Sequence, residues 1–224
     1  MQKLVLFDID KTLTRGSKLH KKAISQAIEE VYGVKGRIED IEYHGMTDKG
    51  IVYEILNRQG FSEEEIQPKI ASFIKLMTKI YIKDVDKDEI ILIDGAKDIL
   101  KELKEHDVLL GLVTGNAKEI AYAKLKKVGL SSYFKFGGFG DDALDRSDLI
   151  KIALKRASDF NFKFNNNVFY IGDAVKDIKS GKIANVKTIG VTTGVYSKEE
   201  LKRVGADFVF ESLKDKDKIL KVII

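Results

Sequence analysis

The segment LVLFDIDKT, residues 4–12, decides the fold of this chain. Four apolar residues run directly into Asp8 and Asp10, and Thr12 follows two positions later. Such a run is typical of a buried parallel strand whose carboxyl end carries the chemistry of an open α/β sheet. Two neighbouring carboxylates repel each other, so their burial is favourable only if a cation neutralises them. The segment therefore predicts a divalent-metal site with an acid beside it, although an acidic turn after a strand gives the same pattern.

Length and composition are those of an ordinary globular protein. The 224 residues suffice for one sizeable core, and 44% hydrophobic with 33% charged residues exclude a disordered or membrane chain. No apolar stretch is long enough to span a membrane, and the start lacks a signal-peptide pattern. The net charge of +4 is spread among alternating Lys, Asp and Glu, so we expect no nucleic-acid face. The absence of cysteine excludes disulfides and fits a cytoplasmic location, which we expect.

Strand-like runs alternate with amphipathic helices over most of the chain. The apolar runs are residues 108–113, 168–171, 188–191 and 208–210. Helical periodicity follows Asn116, starts again at Asp148 and returns after Asp173. This alternation predicts an α/β fold with a doubly wound parallel sheet and a Rossmann-like core.

Residues 15–89 break this alternation and have the periodicity of helices only. Ser62 with Glu65 predicts a capping box, and Pro68 makes the boundary of that helix uncertain. The run at residues 90–93 is predicted to return the chain to the α/β pattern. We therefore predict an all-helical cap domain, residues 15–89, inserted into a catalytic core of residues 1–14 and 90–224. Helices inserted directly after the first strand would lie over its acids, where a lid belongs.

Three further segments place polar groups at the same sheet edge. Residues 114–116, a Thr-Gly-Asn turn from strand to helix, offer backbone N–H groups to an oxyanion. Arg146 precedes a predicted helix, while Asp173 ends a strand and Asp177 follows one helical turn later. Each segment alone is a weak signal, but four such segments in this order make a strong one.

With these segments the chain resembles, over nearly its whole length, the haloacid dehalogenase (HAD) superfamily hydrolases with a helical C1-type cap. Phosphoglycolate phosphatase-like members are especially similar. The residues that match the first, second and fourth family motifs are Asp8, Asp10, Thr12, Leu13, Thr114, Gly172, Asp173 and Asp177. The third motif is a single Lys or Arg, and a spacing of 27 residues before Asp173 favours Arg146 over Lys151. Lys11 departs from the family pattern, which more often has Gly at this position.

The resemblance implies phosphoryl transfer to a carboxylate. Asp8 would be the nucleophile that forms an aspartyl-phosphate, and Asp10 would serve as general acid and then as general base. Mg²⁺ would be bound by Asp8, the backbone carbonyl of Asp10 and Asp173. Arg146 would offset the charge where Asp8 meets the phosphate, and Asp177 would orient Arg146 or metal-bound water. The groups expected to bind the phosphate oxygens are Thr12, Thr114, Gly115 and Asn116.

Two histidines of the predicted cap are further substrate-contact candidates. His20 lies where the chain enters the cap, and it resembles a His that sugar phosphomutases of this superfamily use. The alternative is a partly exposed His at a helix start without any role. His44 lies in residues 43–48, which resemble the cap's specificity loop, so it would meet the leaving group. A helix-capping turn with Thr47 as the cap is the alternative for this segment.

The predicted function is a Mg²⁺-dependent phosphatase of small organic phosphomonoesters. Asp10 favours a phosphatase or phosphomutase over a dehalogenase, because halide displacement needs no leaving-group acid. A phosphomutase of the β-phosphoglucomutase type and a non-hydrolytic phospho-binding module remain alternatives. We expect a small phosphorylated metabolite as the partner, neither nucleic acid nor membrane, and a monomer or homodimer.

Overall fold

The computed structural model of the protein describes residues 2–160 and 164–224. The strands in these residues are β1 (Gln2–Phe7), β2 (Thr14–Arg15), β3 (Ile91–Leu92), β4 (Leu109–Val113), β5 (Gly137–Gly138), β6 (Phe164–Gly172), β7 (Lys187–Val191) and β8 (Phe208–Phe210). The α-helices are α1 (Leu19–Tyr32), α2 (Asp48–Arg58), α3 (Glu63–Ile66), α4 (Ile70–Asp84), α5 (Ala96–Glu105), α6 (Lys118–Lys127), α7 (Arg146–Ser158), α8 (Val175–Ile183), α9 (Lys198–Arg203) and α10 (Lys216–Ile223). Within these two ranges, no helix has the length and apolar character needed to cross a membrane.

Six strands form one parallel sheet in the order β5-β4-β1-β6-β7-β8. Strand β1 is central, with Leu4 paired to Leu109 on one side and to Val168 on the other. The chain winds outward from β1 in both directions, so the predicted doubly wound α/β fold is confirmed. Sheets of this kind bind ligands at the carboxyl edge where the strand order reverses, which here is the end of β1.

Helices cover both faces of the sheet. Val5 and Phe7 of β1 belong to an apolar cluster with α5, α6 and α10, whereas Leu4 and Leu6 belong to a cluster with α7. This division follows from the two-residue period of a strand, which sends successive side chains to opposite faces. All four side chains are fully buried, and this rigid strand fixes the position of the acids that follow it.

Helices α1 to α4 form a helical insert, residues 19–84, whose apolar residues pack in one cluster. Ala23 and Ala27 of α1 pack with Phe73 and Met77 of α4. Ile120 of α6 in the core belongs to the same cluster. The insert is therefore packed directly on the helix that starts at the carboxyl end of β4.

Two predicted helix starts in the insert are confirmed. The Thr47 hydroxyl accepts a hydrogen bond from the N–H of Gly50 at 2.9 Å, which caps α2. Ser62 and Glu65 form the capping box of α3. Pro68 lies in a 3₁₀ turn, Gln67–Lys69, which separates α3 from α4.

The run at residues 90–93 is followed by α5 and β4, as the alternation of strands and helices predicts, but it lies outside the main sheet. Its two central residues form β3, which pairs antiparallel with β2 in a separate two-stranded sheet. The chain then turns at Gly95, whose φ of +84° is readily adopted by glycine, and enters α5. Strand β5 forms one edge of the main sheet, and its two glycines carry no strand signal in the sequence.

Asp88 ties together the two connections between the core and the insert. Its carboxylate accepts hydrogen bonds from the N–H groups of Lys18 and Leu19, at 3.0 and 3.2 Å, and from the Ser17 hydroxyl at 2.5 Å. These bonds satisfy free N–H groups at the start of α1, which has no capping side chain of its own. Lys127 of α6 donates to the carbonyl oxygen of Asp88 and so fastens this junction to the core.

Candidate active site

A cavity of about 280 Å³ lies between the carboxyl edge of the sheet and the helical insert. The predicted site residues that line it are Asp8, Asp10, His20, His44, Thr114, Gly115, Asn116, Arg146 and Asp173. Thr12 and Asp177 are not among the lining residues, although both contact residues that are. Lys151, the alternative third-motif cation, is exposed and pairs with Asp148 at 2.8 Å, away from this cavity.

The turn after β1 places its two acids at the floor of the cavity. The N–H of Asp8 donates to the carbonyl of Ile171 on β6 at 2.9 Å, which holds Asp8 in the register of the sheet. The chain then reverses at Lys11, whose φ of +63° lies in the left-handed region. Few residues other than glycine adopt this conformation easily, which accounts for glycine being commoner at this position in the family.

Arg146 is the first residue of α7 and forms an ion pair with Asp8. Its Nε lies 2.6 Å from Oδ1 of Asp177 and 2.9 Å from the hydroxyl of Tyr170. The other carboxylate oxygen of Asp177 accepts the N–H of Ala174 at 2.8 Å. Both oxygens of Asp177 are thus engaged, and this acid positions the guanidinium against Asp8.

The charge of Arg146 is maintained by these partners. Burial alone would lower the pKa of the guanidinium, but Asp177, Tyr170 and Asp8 raise it well above its ordinary value. A fixed cation beside Asp8 is what a phosphoryl group in transfer requires, because three charged oxygens collect at that point.

Asp8, Asp173 and Asp177 bring carboxylate oxygens within 4.8 Å of one another, and all three are buried. Burial raises the pKa of Asp8 to about 7, against the opposing effect of Arg146. Burial, together with Asp177 and Asp8, raises the pKa of Asp173 well above its ordinary value. A cation would relieve this crowding, and an all-oxygen donor set fits a hard divalent ion such as Mg²⁺.

The surroundings of Asp173 are shaped for its carboxylate. Thr12 donates its hydroxyl to Oδ1 of Asp173 at 3.5 Å. A Cβ atom on Gly194 would lie 1.8 Å from Oδ2 of Asp173, so only glycine leaves room for the carboxylate there. Thr12 therefore supports Asp173, a candidate metal ligand, from behind the cavity.

Lys124 of α6 is the most prominent site residue that sequence reasoning missed. Its ammonium lies 2.8 Å from each carboxylate oxygen of Asp10 and 2.7 Å from Oδ1 of Asn116. The side chain is only 1% exposed, although it ends in a charge. Burial would raise the pKa of Asp10, but the charge and hydrogen bonds of Lys124 lower it below its ordinary value.

His20 links this cluster to the insert and is buried, which excludes a partly exposed helix-start histidine. Its Nδ1 lies 3.2 Å from the Lys124 ammonium, and because an ammonium can only donate, Nδ1 accepts. In the neutral ring the proton is then on Nε2, which lies 3.2 Å from Oδ1 of Asp48 without hydrogen-bond alignment. The other oxygen of Asp48 accepts the N–H of Ala117 at 2.8 Å.

Thr114 and Asn116 line the cavity beside Asp10. The side-chain amide of Asn116 donates to Oγ1 of Thr114 at 2.6 Å and to Oδ2 of Asp10 at 2.7 Å. The Thr114 oxygen also accepts the Asn116 N–H at 3.3 Å, and among the described residues its own proton has no acceptor, so it can be donated to a ligand. Helix α6 begins at Lys118, so the N–H groups of residues 115–117 precede its first turn.

Residues 43–48 hold the insert against the core through hydrogen bonds and close backbone contact. The carbonyl of Gly45 accepts from Nη1 of Arg146 at 3.2 Å, and the N–H of Asp48 donates to the carbonyl of Gly115 at 2.8 Å. A Cβ atom on Gly115 would lie 2.0 Å from the carbonyl oxygen of Met46, so glycine permits this close approach. Thr47 also donates its hydroxyl to the carbonyl of Leu144 at 2.8 Å.

The missed residues left faint signals. Lys124 follows Ile120 by four positions and precedes Leu125, so it falls on the apolar face of its helix. A lysine on that face must be buried with a partner, which points to a nearby acid. Asp48 directly follows a capping Thr, where its carboxylate is an ordinary first-turn acid, and Tyr170 lies within an apolar strand. These two carry no signal of a role at the site.

The chain is similar to known proteins along nearly its whole length. A family described as haloacid dehalogenase-like hydrolase matches residues 5–191. Pyrophosphatase PpaX of Listeria innocua is 25% identical over 211 residues, which cover 94% of this chain and 93% of that protein. A solved structure of a predicted phosphatase from Clostridium acetobutylicum has a TM-score of 0.75 at 23% identity and covers 99% of both chains. CbbY from Rhodobacter sphaeroides, in complex with phosphate, has a TM-score of 0.73 at 20% identity and 95% coverage of both chains.

Proposed function

Because this chain belongs to the haloacid dehalogenase-like hydrolases, we propose that it is a Mg²⁺-dependent phosphatase of small phosphomonoesters that uses an aspartyl-phosphate intermediate. The resemblance seen in its motifs and its identity as a hydrolase of this family are confirmed by the match over residues 5–191. The observation that carries the proposal is the floor of the cavity. There Asp8 is ion-paired with Arg146, and Asp10 is held by Lys124.

The reaction has two halves. In the first, a carboxylate oxygen of Asp8 attacks phosphorus and the bond to the leaving oxygen breaks. Asp10, whose ionised form Lys124 favours, first takes up a proton from solvent and delivers it to that oxygen, which leaves Asp10 ionised for the second half. In the second, Asp10 takes a proton from a water molecule that attacks the aspartyl-phosphate, which releases phosphate and restores Asp8. Each step uses a carboxylate that lines the cavity.

The transferring phosphoryl group needs donors and positive charge on its oxygens. The free proton of Thr114 and the guanidinium of Arg146 face the same cavity as Asp8 and supply both. Asp8, Asp173 and the carbonyl of Asp10 would bind Mg²⁺, which when present neutralises charge on the phosphate oxygens. Asp177 acts through Arg146, since both of its oxygens are engaged in holding that residue and the start of α8.

The size of the cavity limits the substrate to a small molecule. Its volume of about 280 Å³ is near the lower end of the range for small-molecule sites, which begins at roughly 300 Å³. We include residues 15–89 as the cap domain of the core formed by residues 1–14 and 90–224, since α1 to α4 pack on one another around one apolar cluster. The relative named pyrophosphatase supports a small phosphorylated substrate. A cytoplasmic location and a monomeric or homodimeric state remain predictions.

The test is phosphate release from a panel of small phosphomonoesters, with Mg²⁺ and with EDTA. We expect Mg²⁺-dependent release by the wild type and none by Asp8→Asn. Asp159→Asn is the matched control, because Asp159 is exposed and distant from the cavity lining. Release at the wild-type rate by Asp8→Asn would overturn the mechanism.

The two alternative functions give different results in this phosphate-release assay and its extensions. A phosphomutase would be silent on the panel and would convert a hexose 1-phosphate when its bisphosphate is added. A non-hydrolytic phospho-binding module would bind phosphate or keep a phosphorylated Asp8 without turnover. Asp10 is the feature that argues against the latter, because an acid–base group beside the nucleophile promotes hydrolysis.

A further inference from the structure

One wall of the cavity carries two ammonium groups, those of Lys11 and Lys21, that have no role in the transfer of a phosphoryl group to Asp8. The ammonium of Lys21 donates to the hydroxyl of Tyr43 at 2.6 Å, and the rings of Tyr43 and His44 lie 4.4 Å apart. Nδ1 of His44 lies 3.1 Å from the ammonium of Lys11. We call these four neighbouring side chains, Lys11, Lys21, Tyr43 and His44, the outer wall. All of them line the cavity.

Among the described residues, neither lysine of the outer wall forms an ion pair, although the charge of Lys11 also acts on Asp173. Within residues 2–160 and 164–224, no carboxylate lies within 4.0 Å of the ammonium group of Lys11 or Lys21, whose polar contacts are His44 and Tyr43. Lys124 and Arg146 on the floor of the same cavity, by contrast, are each paired with a catalytic acid. Cations that are not paired with a carboxylate attract anions strongly in a concave site.

The ring of His44 reports the same positive surroundings. Burial, followed by Lys11 and Lys21, lowers the pKa of His44 below its ordinary value. The neutral ring accepts at Nδ1 from Lys11, which leaves the proton on Nε2 as a donor to a ligand. The outer wall therefore offers two ammonium groups and one neutral donor, a set suited to an oxyanion.

The direction of the reaction places the leaving group beside this wall. Attack and departure at phosphorus are roughly in line, and Asp8 attacks from the floor, where it is buried at the end of β1. The leaving group then points away from the sheet and toward the insert, which supplies Lys21, Tyr43 and His44. These three residues line the same cavity of about 280 Å³ as Asp8, so they are within reach of a small leaving group.

We propose that Lys11, Lys21 and His44 form a subsite for a second anionic group, carried by the leaving group. Preferred substrates then have a carboxylate or a second phosphate beyond the scissile bond, and uncharged leaving groups are poor substrates. This assignment rests on the proposed function and adds the substrate class to it. Tyr43 acts by holding the Lys21 ammonium toward the cavity.

The experiment compares kcat/KM for three compounds: p-nitrophenyl phosphate, which has no second anion, 2-phosphoglycolate, which has a carboxylate, and inorganic pyrophosphate. The variant is Lys21→Met, and the matched control is Lys22→Met, at the next position on α1, which is exposed and absent from the cavity lining. A hydrogen bond to a charged group contributes enough that its loss costs about 10- to 100-fold. We expect the ratio of kcat/KM for at least one doubly anionic compound to that for p-nitrophenyl phosphate to fall by this factor in Lys21→Met only.

The outcomes separate the subsite from the phosphatase itself. A ratio that falls for phosphoglycolate identifies a carboxylate as the second anion, and one that falls for pyrophosphate identifies a phosphate. Turnover of p-nitrophenyl phosphate without preference for either anion, or a ratio that Lys21→Met leaves unchanged, would overturn the subsite alone. Absence of phosphate release from all three compounds would overturn the proposed function and the subsite with it. His44→Gln gives the same readout if Lys21→Met melts at a markedly lower temperature.

Discussion

The ammonium of Lys124 lies 2.8 Å from both carboxylate oxygens of Asp10, at the end of a side chain that is 1% exposed. This contact joins helix α6 to the turn after β1, two segments that are far apart in the sequence. It also keeps Asp10 in its ionised form, because Lys124 lowers the pKa of that carboxyl against the effect of burial. An ionised Asp10 is the form that can take a proton from water in the second half of the proposed reaction.

Lys124→Met is expected to shift the pH dependence of turnover. Without the ammonium, burial raises the pKa of Asp10, so the acidic limb of the kcat profile should move to higher pH. The variant should also lose roughly 1–3 kcal/mol of stability, since a polar group loses its charged partner. Lys126→Met, at an exposed position of the same helix, is the control. An acidic limb at the wild-type position in Lys124→Met would show that Lys124 does not govern Asp10.

Asp10→Asn is expected to slow turnover by about 10²- to 10⁴-fold for substrates with poor leaving groups, which need protonation. The loss should be smaller for p-nitrophenyl phosphate, because its leaving group departs with little help from an acid. Steady-state kcat/KM for an alkyl phosphate and for p-nitrophenyl phosphate provides the comparison. Equal losses for both would mean that Asp10 mainly organises the metal site through its backbone and charge.

Mg²⁺ is expected to raise the melting temperature, and to do so more at pH 8 than at pH 6. The pKa of Asp8 is raised by burial to about 7, above its unfolded value, so the folded metal-free protein prefers this carboxyl protonated. Its contribution to stability is present below about pH 4 and is lost as the pH rises through about 7. Above that pH a bound cation offsets the ionised pair of Asp8 and Asp173. Thermal melts with Mg²⁺ and with EDTA measure the increment, which should vanish in Asp173→Asn.

Gly115→Ala is expected to push residues 45–48 off the core. The added methyl group would lie 2.0 Å from the carbonyl oxygen of Met46, and this backbone atom can move only together with its segment. Such a clash costs about 1–3 kcal/mol, and kcat/KM should fall about 10-fold or more because the outer wall shifts. Gly60→Ala separates the two effects, since it strains a residue with φ of +88° in open space and should lower stability alone. Equal kcat/KM losses in both variants would contradict the local account.

Much of the fold followed from the sequence because apolar runs determine which strands are buried. The run that ends in Asp8 is the central strand, and the runs before Thr114 and Asp173 are its neighbours on either side. Parallel neighbours end at one edge, so acids, hydroxyl and amide groups from distant segments had to meet there. The pairing of residues 91–92 with β2 in a separate small sheet was not predicted, because local hydrophobicity does not encode the pairing partner.

The electrostatic partners within the site were harder to predict. Lys124 contacts Asp10 within the core, and Asp48 lies beside His20 within the insert, and each pair joins residues that are far apart in the sequence. A pattern of charges along the chain does not reveal which acid a lysine will reach in the folded protein. Arg146 was found from its spacing to Asp173, whereas Tyr170, which holds it, lies inside an apolar strand.

The backbone at Lys11 records a conflict between folding and selectivity. A non-glycine residue in the left-handed region costs roughly 1–2 kcal/mol, and Lys11 has a φ of +63° at the tightest point of the turn after β1. Folding alone would favour glycine there, yet glycine has no side chain to contact His44, as the Lys11 ammonium does. A variant that did not need doubly anionic substrates could carry glycine at this position and be more stable. Position 11 is thus the position at which a change of substrate class would first be accompanied by a substitution.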